Sequence, residues 1–384
     1  MANIPILSFN SGELSPQIDA RSDVEKYGSG CRHLENMLPR IYGSVERRPG
    51  TKYSYAGKTA ADKIRLVPFI YSSIIAYIIE FGDLYARFYY NGEILLDGVT
   101  PVEITTPYVL ADIFQLQYKQ IGDTMRIVHP SYAPRKLTRT SATVFSLDTI
   151  DFRKGPFLIR NDLLDPNVSD TAFMKPNVTV VGGEGTLHCE DANGSDISFF
   201  DGNHVNALFK LLQPREETIV KIEKTGSNTG ESSSIIVEGS FSFTTHGTWT
   251  ATIVLQRREN SDADSDWEDY RTYVGTADRN VQFAGSEDAD NVEYRINITE
   301  HTSGTIKADI TVNDSTQEGV VRVLEVINDS VVRIEVLKKL ASVNATRRWA
   351  EGAWSDYRGY PASITFLGER AIYAGESVVP AQAS

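Results

Sequence analysis

The chain is 384 residues long but holds only two cysteines, Cys31 and Cys189, and four methionines. Two thiols in so long a chain exclude a disulfide framework, so the fold must rest on buried apolar surface. No hydrophobic run reaches membrane length. The longest, Leu66 to Ile79, is broken by Pro68, Ser72 and Ser73 and falls short of the ~20 residues a spanning helix needs. No membrane insertion is therefore expected. The start, Met1 to Pro5, lacks the basic and apolar parts of a signal peptide, and the expected site of synthesis is a reducing cytoplasm. Asn-x-Ser/Thr triplets such as Asn297-Ile298-Thr299 carry no weight without a secretory route.

Excess positive charge is also missing. The formal net charge is −13, and it is unevenly placed. Thr225 to Glu318 holds 17 acidic and 6 basic residues, a net of −11, whereas residues 1 to 60 are net +2. The plain reading of the acidic segment is a solubilising domain surface. The sharper one is a wall that must not stick to a polyanion.

Catalytic signatures are absent as well. Gly57-Lys58-Thr59 could close a phosphate loop, but the earlier glycine it needs would fall at Lys52. His188-Cys189-Glu190 contains the His-x-Glu of zinc deaminases, which also need two clustered cysteines, and only Cys31 remains. Neither a Gly-x-Ser-x-Gly elbow nor a His-Glu-x-x-His helix occurs. Asp262, Asp264 and Asp266 have the spacing of calcium-loop ligands, yet Trp267 stands where the loop needs Gly and Tyr273 where it needs Glu. A carboxylate pair for glycoside cleavage depends on spatial separation, which 51 acidic residues leave undetermined. The expectation is a protein without cofactor or metal and without enzymatic turnover.

What is present points to strands. The chain is 41% hydrophobic and 23% charged, with 18 Tyr and 16 Phe, a soluble composition of about two to four domains with β-forming aromatics. One helical face stands out within residues 19 to 39, where Val24, Tyr27, Cys31, Leu34 and Leu38 recur at steps of three and four. Gly28 and Gly30 weaken it by about 1 kcal/mol each, so it needs a partner surface. Arg47-Arg48-Pro49-Gly50 reads as a type II turn. Leu84, Ala86, Phe88 and Tyr90 share one strand face, and Asn91-Gly92 turns the chain into Glu93–Leu96. Ala111 to Gln120 reads as a short helix, and Met125 to His129 as a strand before a turn bracketed by Pro130 and Pro134.

Further on, Trp249 to Gln256 and Tyr270 to Val274 read as strands. Val292, Tyr294, Ile296 and Ile298 alternate with polar residues, as do Ile306, Ala308, Ile310 and Val312, and Ser303-Gly304 between them suggests a hairpin. Val320–Val326 and Val331–Val336 form another pair joined at Asn328-Asp329-Ser330. Trp349 and Trp354 read as core or interface aromatics before sugar platforms. Arg40, Arg47 and Arg48 are either partner or phosphate contacts or a solvated cluster beside the turn.

An ordered series of short motifs then gives a family resemblance. Phe9-Asn10-Ser11-Gly12-Glu13-Leu14-Ser15-Pro16 is followed by Asp19-Ala20-Arg21-Ser22-Asp23, Lys26-Tyr27-x-x-Gly30, Asn36, Gly43 and Arg47-Arg48-Pro49-Gly50-Thr51. Next come Leu66-Val67-Pro68-Phe69, Glu80-Phe81-Gly82-Asp83, Arg87-Phe88-Tyr89, Ile127-Val128-His129-Pro130-Ser131-Tyr132 and Pro134-Arg135-Lys136-Leu137. Gly352-Ala353-Trp354-Ser355, Gly359-Tyr360-Pro361 and Glu369-Arg370 close the series. This order resembles the tail nozzle (tail tubular protein B) family of short-tailed bacteriophages over residues 1 to about 170 and 345 to 375. Members of that family continue with more propeller-like strands where this chain stops at Ser384.

The resemblance implies a mainly β virion subunit. Its parts would be an N-terminal short helix with β-hairpins of a propeller-like platform, a small β-barrel-like region and an inserted β-sandwich. The expected divisions are a platform (1–170), a β connector in two parts (171–224 and 319–345), an acidic sandwich (225–318) and a return to the platform (346–384). The implied partners are copies of itself in a hexameric ring, the tail adaptor, and tail fibre or needle proteins. Double-stranded DNA would pass through the lumen without sequence-specific binding. The location implied is the virion tail, after synthesis in the host bacterial cytoplasm. Gly12 to Gly50 is the expected contact surface, with Arg21, Tyr27, Asn36, Arg40, Arg47, Arg48 and Pro49 as candidate interface residues. The rival reading is a tail accessory module that binds or cleaves host-surface glycan through the inserted sandwich, and a third is another connector ring such as the adaptor.

Overall fold

The computed structural model describes residues 7–164, 172–259, 267–275, 280–368 and 370–375. Asp262, Asp264, Asp266 and Glu369 lie outside them. The protein is mainly β, as its alternation and aromatics require. It divides at Gly57 into two compact units.

The first unit has no α-helix among its described residues. The helix read over residues 19–39 is replaced by 3-10 turns at Pro16–Ile18 and Glu25–Ser29, then by the strands Gly30–Cys31 and Met37–Pro39. Ala20 and Asn36 take left-handed φ values of 65° and 58°, which break a helix at both ends. Gly12–Glu13 pairs in parallel with Gly30–Cys31, and a Cβ on Gly30 would stand 2.4 Å from the Leu14 side chain. Gly30 is therefore there for close approach, and helical spacing around it is incidental. The type II turn at Arg47-Arg48-Pro49-Gly50 is not formed either. Arg47 ends the strand Val45–Arg47, and Gly50 is not among the residues with positive φ that such a turn requires.

The second unit opens with two sheets packed face to face. One carries Arg65–Ile70, Ala76–Gly82, Tyr85–Tyr90 and Glu103–Thr105, with Glu93–Ile94 added beside Tyr85–Tyr90. The other is a meander of Gln117–Ile121, Thr124–His129, Tyr132–Arg139 and Phe145–Thr149. Val67, Phe69, Ile79 and Phe88 from the first meet Met125, Ile127, Leu137 and Phe145 from the second in one core. Asn91 and Gly92 take φ of 52° and 78°, the primed hairpin turn that this dipeptide favours. Ala86 and Phe88 point inward as the alternation required, but Leu84 falls in the preceding turn with φ 62°. The helix read over Ala111–Gln120 is absent. Short i to i+3 turns at Val109–Gln115 lead into Gln117–Ile121, which pairing with Thr124–His129 captures as a strand.

A six-stranded antiparallel sheet follows, ordered Phe173–Pro176, Glu184–Glu190, Val331–Lys338, Thr316–Val326, Leu208–Pro214 and Trp349–Glu351. Between its strands the chain makes an excursion, Ile219 to Val312, with a core of its own around Phe241, Trp249, Tyr294 and Ile310. The hairpin read at Ser303-Gly304 is not there. Gln282–Val312 is one long strand, bent at Gly304 (φ 89°), where a Cβ would stand 2.1 Å from the Thr248 carbonyl oxygen. Its part 292–304 pairs with Trp249–Glu259, whereas 305–311 pairs with Ile219–Thr225. On its other side the last part runs antiparallel to Ile235–His246, the register falling from Val312 to Lys307 as it rises from Phe241 to His246. Val292, Tyr294, Ile296, Ile298, Ile306, Ala308, Ile310 and Val312 are all buried, so the alternation was right and the pairing different.

The chain then returns to the meander. Trp354, Tyr360, Ile364 and Tyr373 pack with Val128, and Ser363–Leu367 pairs with Arg370–Ala374.

Candidate functional site

Two of the catalytic look-alikes, at Lys58 and at Cys189, lie among the described residues. Lys58 donates to Glu103 Oε1 at 2.6 Å. Cys189 sits fully buried on Glu184–Glu190, and burial pushes its thiol up to about 12, so it is held protonated and inert. His204 Nε2 stands 3.8 Å from Glu351 Oε1, the geometry of an acid–base pair. Both residues are buried, however, with the Tyr357 ring stacked 4.2 Å from the imidazole and Arg358 donating to Glu351 Oε2.

Most of the candidate interface residues hold the first unit together. Arg21 forms a fork with Asp23, which lowers the Asp23 pKa. The Tyr27 hydroxyl accepts the Ala20 N–H at 3.0 Å and so supports the strained φ there. Arg48 donates to the Asn36 side chain at 2.7 Å, and Arg40 pairs with Glu46. Arg47 is exposed and has no side-chain partner among the described residues, and Pro49 is exposed beside it. Sequence reasoning missed the apolar groups near them. Met37–Pro39 and Val45–Arg47 form a hairpin whose tip carries Ile41 and Tyr42, 88% and 97% exposed, with Met37 and Leu38 exposed on its strand. The signal was Gly43, whose φ of 99° makes the tip turn tightly.

In the second unit, the motif residues form two constellations. Glu80 is fully buried, yet its neighbours in register place it on the face away from the core. Tyr85 donates to Glu80 Oε1 at 2.8 Å, and Tyr89 to Oε2. Burial and then its own bond to Glu80 push the Tyr85 hydroxyl up to about 12. Arg87 and Lys58 lie about 5 Å from the Tyr85 ring centroid and both bond Glu103. Burial raises the Glu103 carboxyl, but the two cations outweigh that and hold it below the usual range. Asp83 accepts the Leu110 N–H at 2.9 Å. Every group in this cluster is satisfied from within, which is the pattern of a structural network.

The second constellation joins the meander to the returning chain. Tyr360 N–H donates to the Pro130 carbonyl at 2.9 Å, Ala353 N–H to that of Pro156 at 2.9 Å, and Gly352 N–H to that of Leu208 at 2.7 Å. Trp349 and Trp354 are buried, as interface aromatics should be. Trp354 meets Phe152 edge-on at 4.6 Å and Tyr373 at 5.5 Å. A crevice of about 370 Å³ opens beside it, lined also by Tyr360, Asp151, Arg322 and Asn206.

No family model and no curated protein matches the chain. Among solved structures it is similar to a CBM4 protein, at 15% identity and TM-score 0.15, covering 42% of this chain and 93% of that one. A glycoside hydrolase family 43 arabinoxylan arabinofuranohydrolase from Bacillus subtilis gives 11% identity and TM-score 0.16, covering 71% and 66%. An exo-beta-1,3-galactanase from Phanerochaete chrysosporium gives 9% and 0.19, covering 80% and 76%. At TM-scores this low, these likenesses carry no argument about fold or chemistry here.

Proposed function

We propose that the chain is a structural subunit of a bacteriophage tail nozzle, without catalytic turnover. Six copies would form a ring below the adaptor, and its lumen would conduct double-stranded genomic DNA at ejection. One observation carries this reading. Of the 51 described residues of the first unit only Gly43 is buried, while Ile41 and Tyr42 stand almost wholly exposed at a hairpin tip. A segment with so little interior of its own cannot be ordered by its own core. It suits a subunit packed among other copies and the adaptor, as do the ordered motifs of the first fifty residues.

The charge suits the same role. A conduit must enclose DNA without gripping it, because each phosphate neutralised by Lys or Arg adds affinity through counterion release. A net charge of −13 works against such grip. The test is to assemble particles without this chain. The expected result is filled heads with incomplete tails that do not eject DNA, and the purified chain entering a ring when mixed with adaptor. Complete, ejection-competent tails that lack the chain would overturn the reading.

A further inference from the structure

The strand Arg65–Ile70 sends Val67 and Phe69 into the core, so its period of two turns Leu66, Pro68 and Ile70 to the opposite face of the sheet. Pairing extends that face. Pro68 stands opposite Ile78, Ile78 opposite Tyr89 and Tyr89 opposite Ile94, an apolar row across four strands. At the Glu80 end the face is covered by Tyr85 and Tyr89, whose hydroxyls bond that carboxylate. The remainder is open: Leu66, Ile70 and Ile78 are 58%, 61% and 46% exposed, and Ile74 in the following turn is 85% exposed. Single exposed aliphatic residues are ordinary, but contiguous ones mark a surface that another molecule covers.

A partner cannot simply extend this sheet. Arg65–Ile70 is its outermost strand, and the backbone groups turned away from Ala76–Gly82 belong to Leu66, Pro68 and Ile70. Pro68 has no N–H to give, and the Gln120 side-chain amide takes both the N–H and the carbonyl of Ile70, at 3.0 and 2.9 Å. An edge blunted in this way resists strand addition, so the partner lies over the face.

The matching surface is on the first unit of the same chain. Its hairpin exposes Met37, Leu38, Ile41 and Tyr42, and Tyr53 and Tyr55 follow, exposed, on a segment without strand or helix. Methionine and aromatic side chains are among those enriched at interfaces. Charge favours the same match: residues 1–60 are net +2, which leaves −15 on residues 61–384, so a basic arm meets an acidic body. We infer that the arm formed by residues 37–55 of one copy docks on the Leu66–Ile70–Ile78 face of the next copy. The contact joins two different patches, so it repeats head to tail and closes into a ring when the rotation between copies permits. It rests on the ring of the proposed function and names the surfaces that join it.

The experiment uses the full chain in sedimentation velocity over about 1–100 µM, the range in which contacts of moderate strength are read. The wild-type chain should self-associate. Ile70→Lys with Ile78→Lys alters the face alone, and Ile41→Asp with Tyr42→Asp alters the arm alone. Each pair should raise the dissociation constant about ten-fold or more. The thermal midpoint should hold, because all four side chains are exposed. Ile70→Thr with Ile78→Thr keeps strand propensity and is the milder face variant if the first does not fold; it too should weaken association. Mixed in equal amounts, the face variant and the arm variant should form dimers and nothing larger, because one intact arm then meets one intact face. A monomeric wild-type chain, wild-type association in a folded face variant, or a mixture that stays monomeric would each overturn the inference. The nozzle reading would survive those results if the variants still entered a ring with adaptor, and it falls separately, on complete tails that lack the chain.

Discussion

Gly82 and Tyr85 are matched to each other: a Cβ on residue 82 would stand 2.2 Å from the Tyr85 ring. That closeness lets the ring lie flat enough for its hydroxyl to reach Glu80 at 2.8 Å. Gly82→Ala should therefore displace the ring and destabilise the second unit by about 1–3 kcal/mol, the usual result of overpacking. Tyr85→Phe should cost a similar amount, about 1–3 kcal/mol, by stripping a donor from a buried carboxylate. Urea denaturation followed by tyrosine and tryptophan fluorescence measures both. Wild-type midpoints in both variants would show that the Glu80 cluster is not structural.

The excursion Ile219–Val312 offers a cleaner contrast within one strand. Ile296 is fully buried, whereas Lys307 is exposed and pairs across the strand with Glu223 at 3.2 Å. Ile296→Asp should unfold this part of the chain, at a cost above about 4 kcal/mol for an unpaired buried charge. Lys307→Ala should stay within about 0.5 kcal/mol, because exposed pairs are weak. Thermal melts of both variants give the comparison. Equal melting temperatures would contradict the burial pattern.

Lys338 and Lys339 tie this excursion to the six-stranded sheet. Lys338 Nζ lies 2.5 Å from Glu238 and 3.2 Å from Asp290, and Lys339 Nζ lies 3.0 Å from Glu293. Burial raises the Asp290 and Glu293 carboxyls, but Lys154 and Lys338 on the first, and Arg258 and Lys339 on the second, outweigh it and leave both below their usual values. Carboxylates depressed in the folded state stabilise it above their unfolded pKa, and that stability is lost as pH falls through the folded values. The thermal midpoint should thus hold from about pH 7 to 5 and drop below about 4.5. Lys338→Met should lower the midpoint at neutral pH and flatten the acid drop. A variant with an unchanged pH profile would remove these pairs from the account.

At the hairpin tip the expected effect is on assembly alone. Ile41→Asp combined with Tyr42→Asp changes two side chains that touch almost nothing within the chain. Stability of the isolated protein should shift by less than about 0.5 kcal/mol. Incorporation into tails, scored by electron microscopy and by sedimentation with adaptor, should fail. Normal incorporation would move the contact surface elsewhere.

Alternation in the sequence was enough to find most strands and their buried faces. Each residue of Val292–Ile298 and Ile306–Val312 that should face a core does face one, because period-two patterning records burial directly. Asn91-Gly92 was equally legible, since its turn depends on two adjacent residues that tolerate positive φ. What the tertiary structure decided was which strand lies beside which. Two well-patterned runs flanking Ser303-Gly304 look like a hairpin, but Gly304 serves a corner against Thr248, and each run finds another partner. The false helix of residues 19–39 has the same origin: Gly30 answers a contact with Leu14, sixteen residues away, that no local window contains. The motif residues themselves were legible, but their roles were not. Glu80, Gly82, Tyr85 and Tyr89 become one network only across paired strands. Trp354 meets Asn206 at one crevice only because the return of the chain brings together residues 148 positions apart. Periodicity is a local record of burial, whereas partner choice and cavity formation are set by the packing of the whole chain.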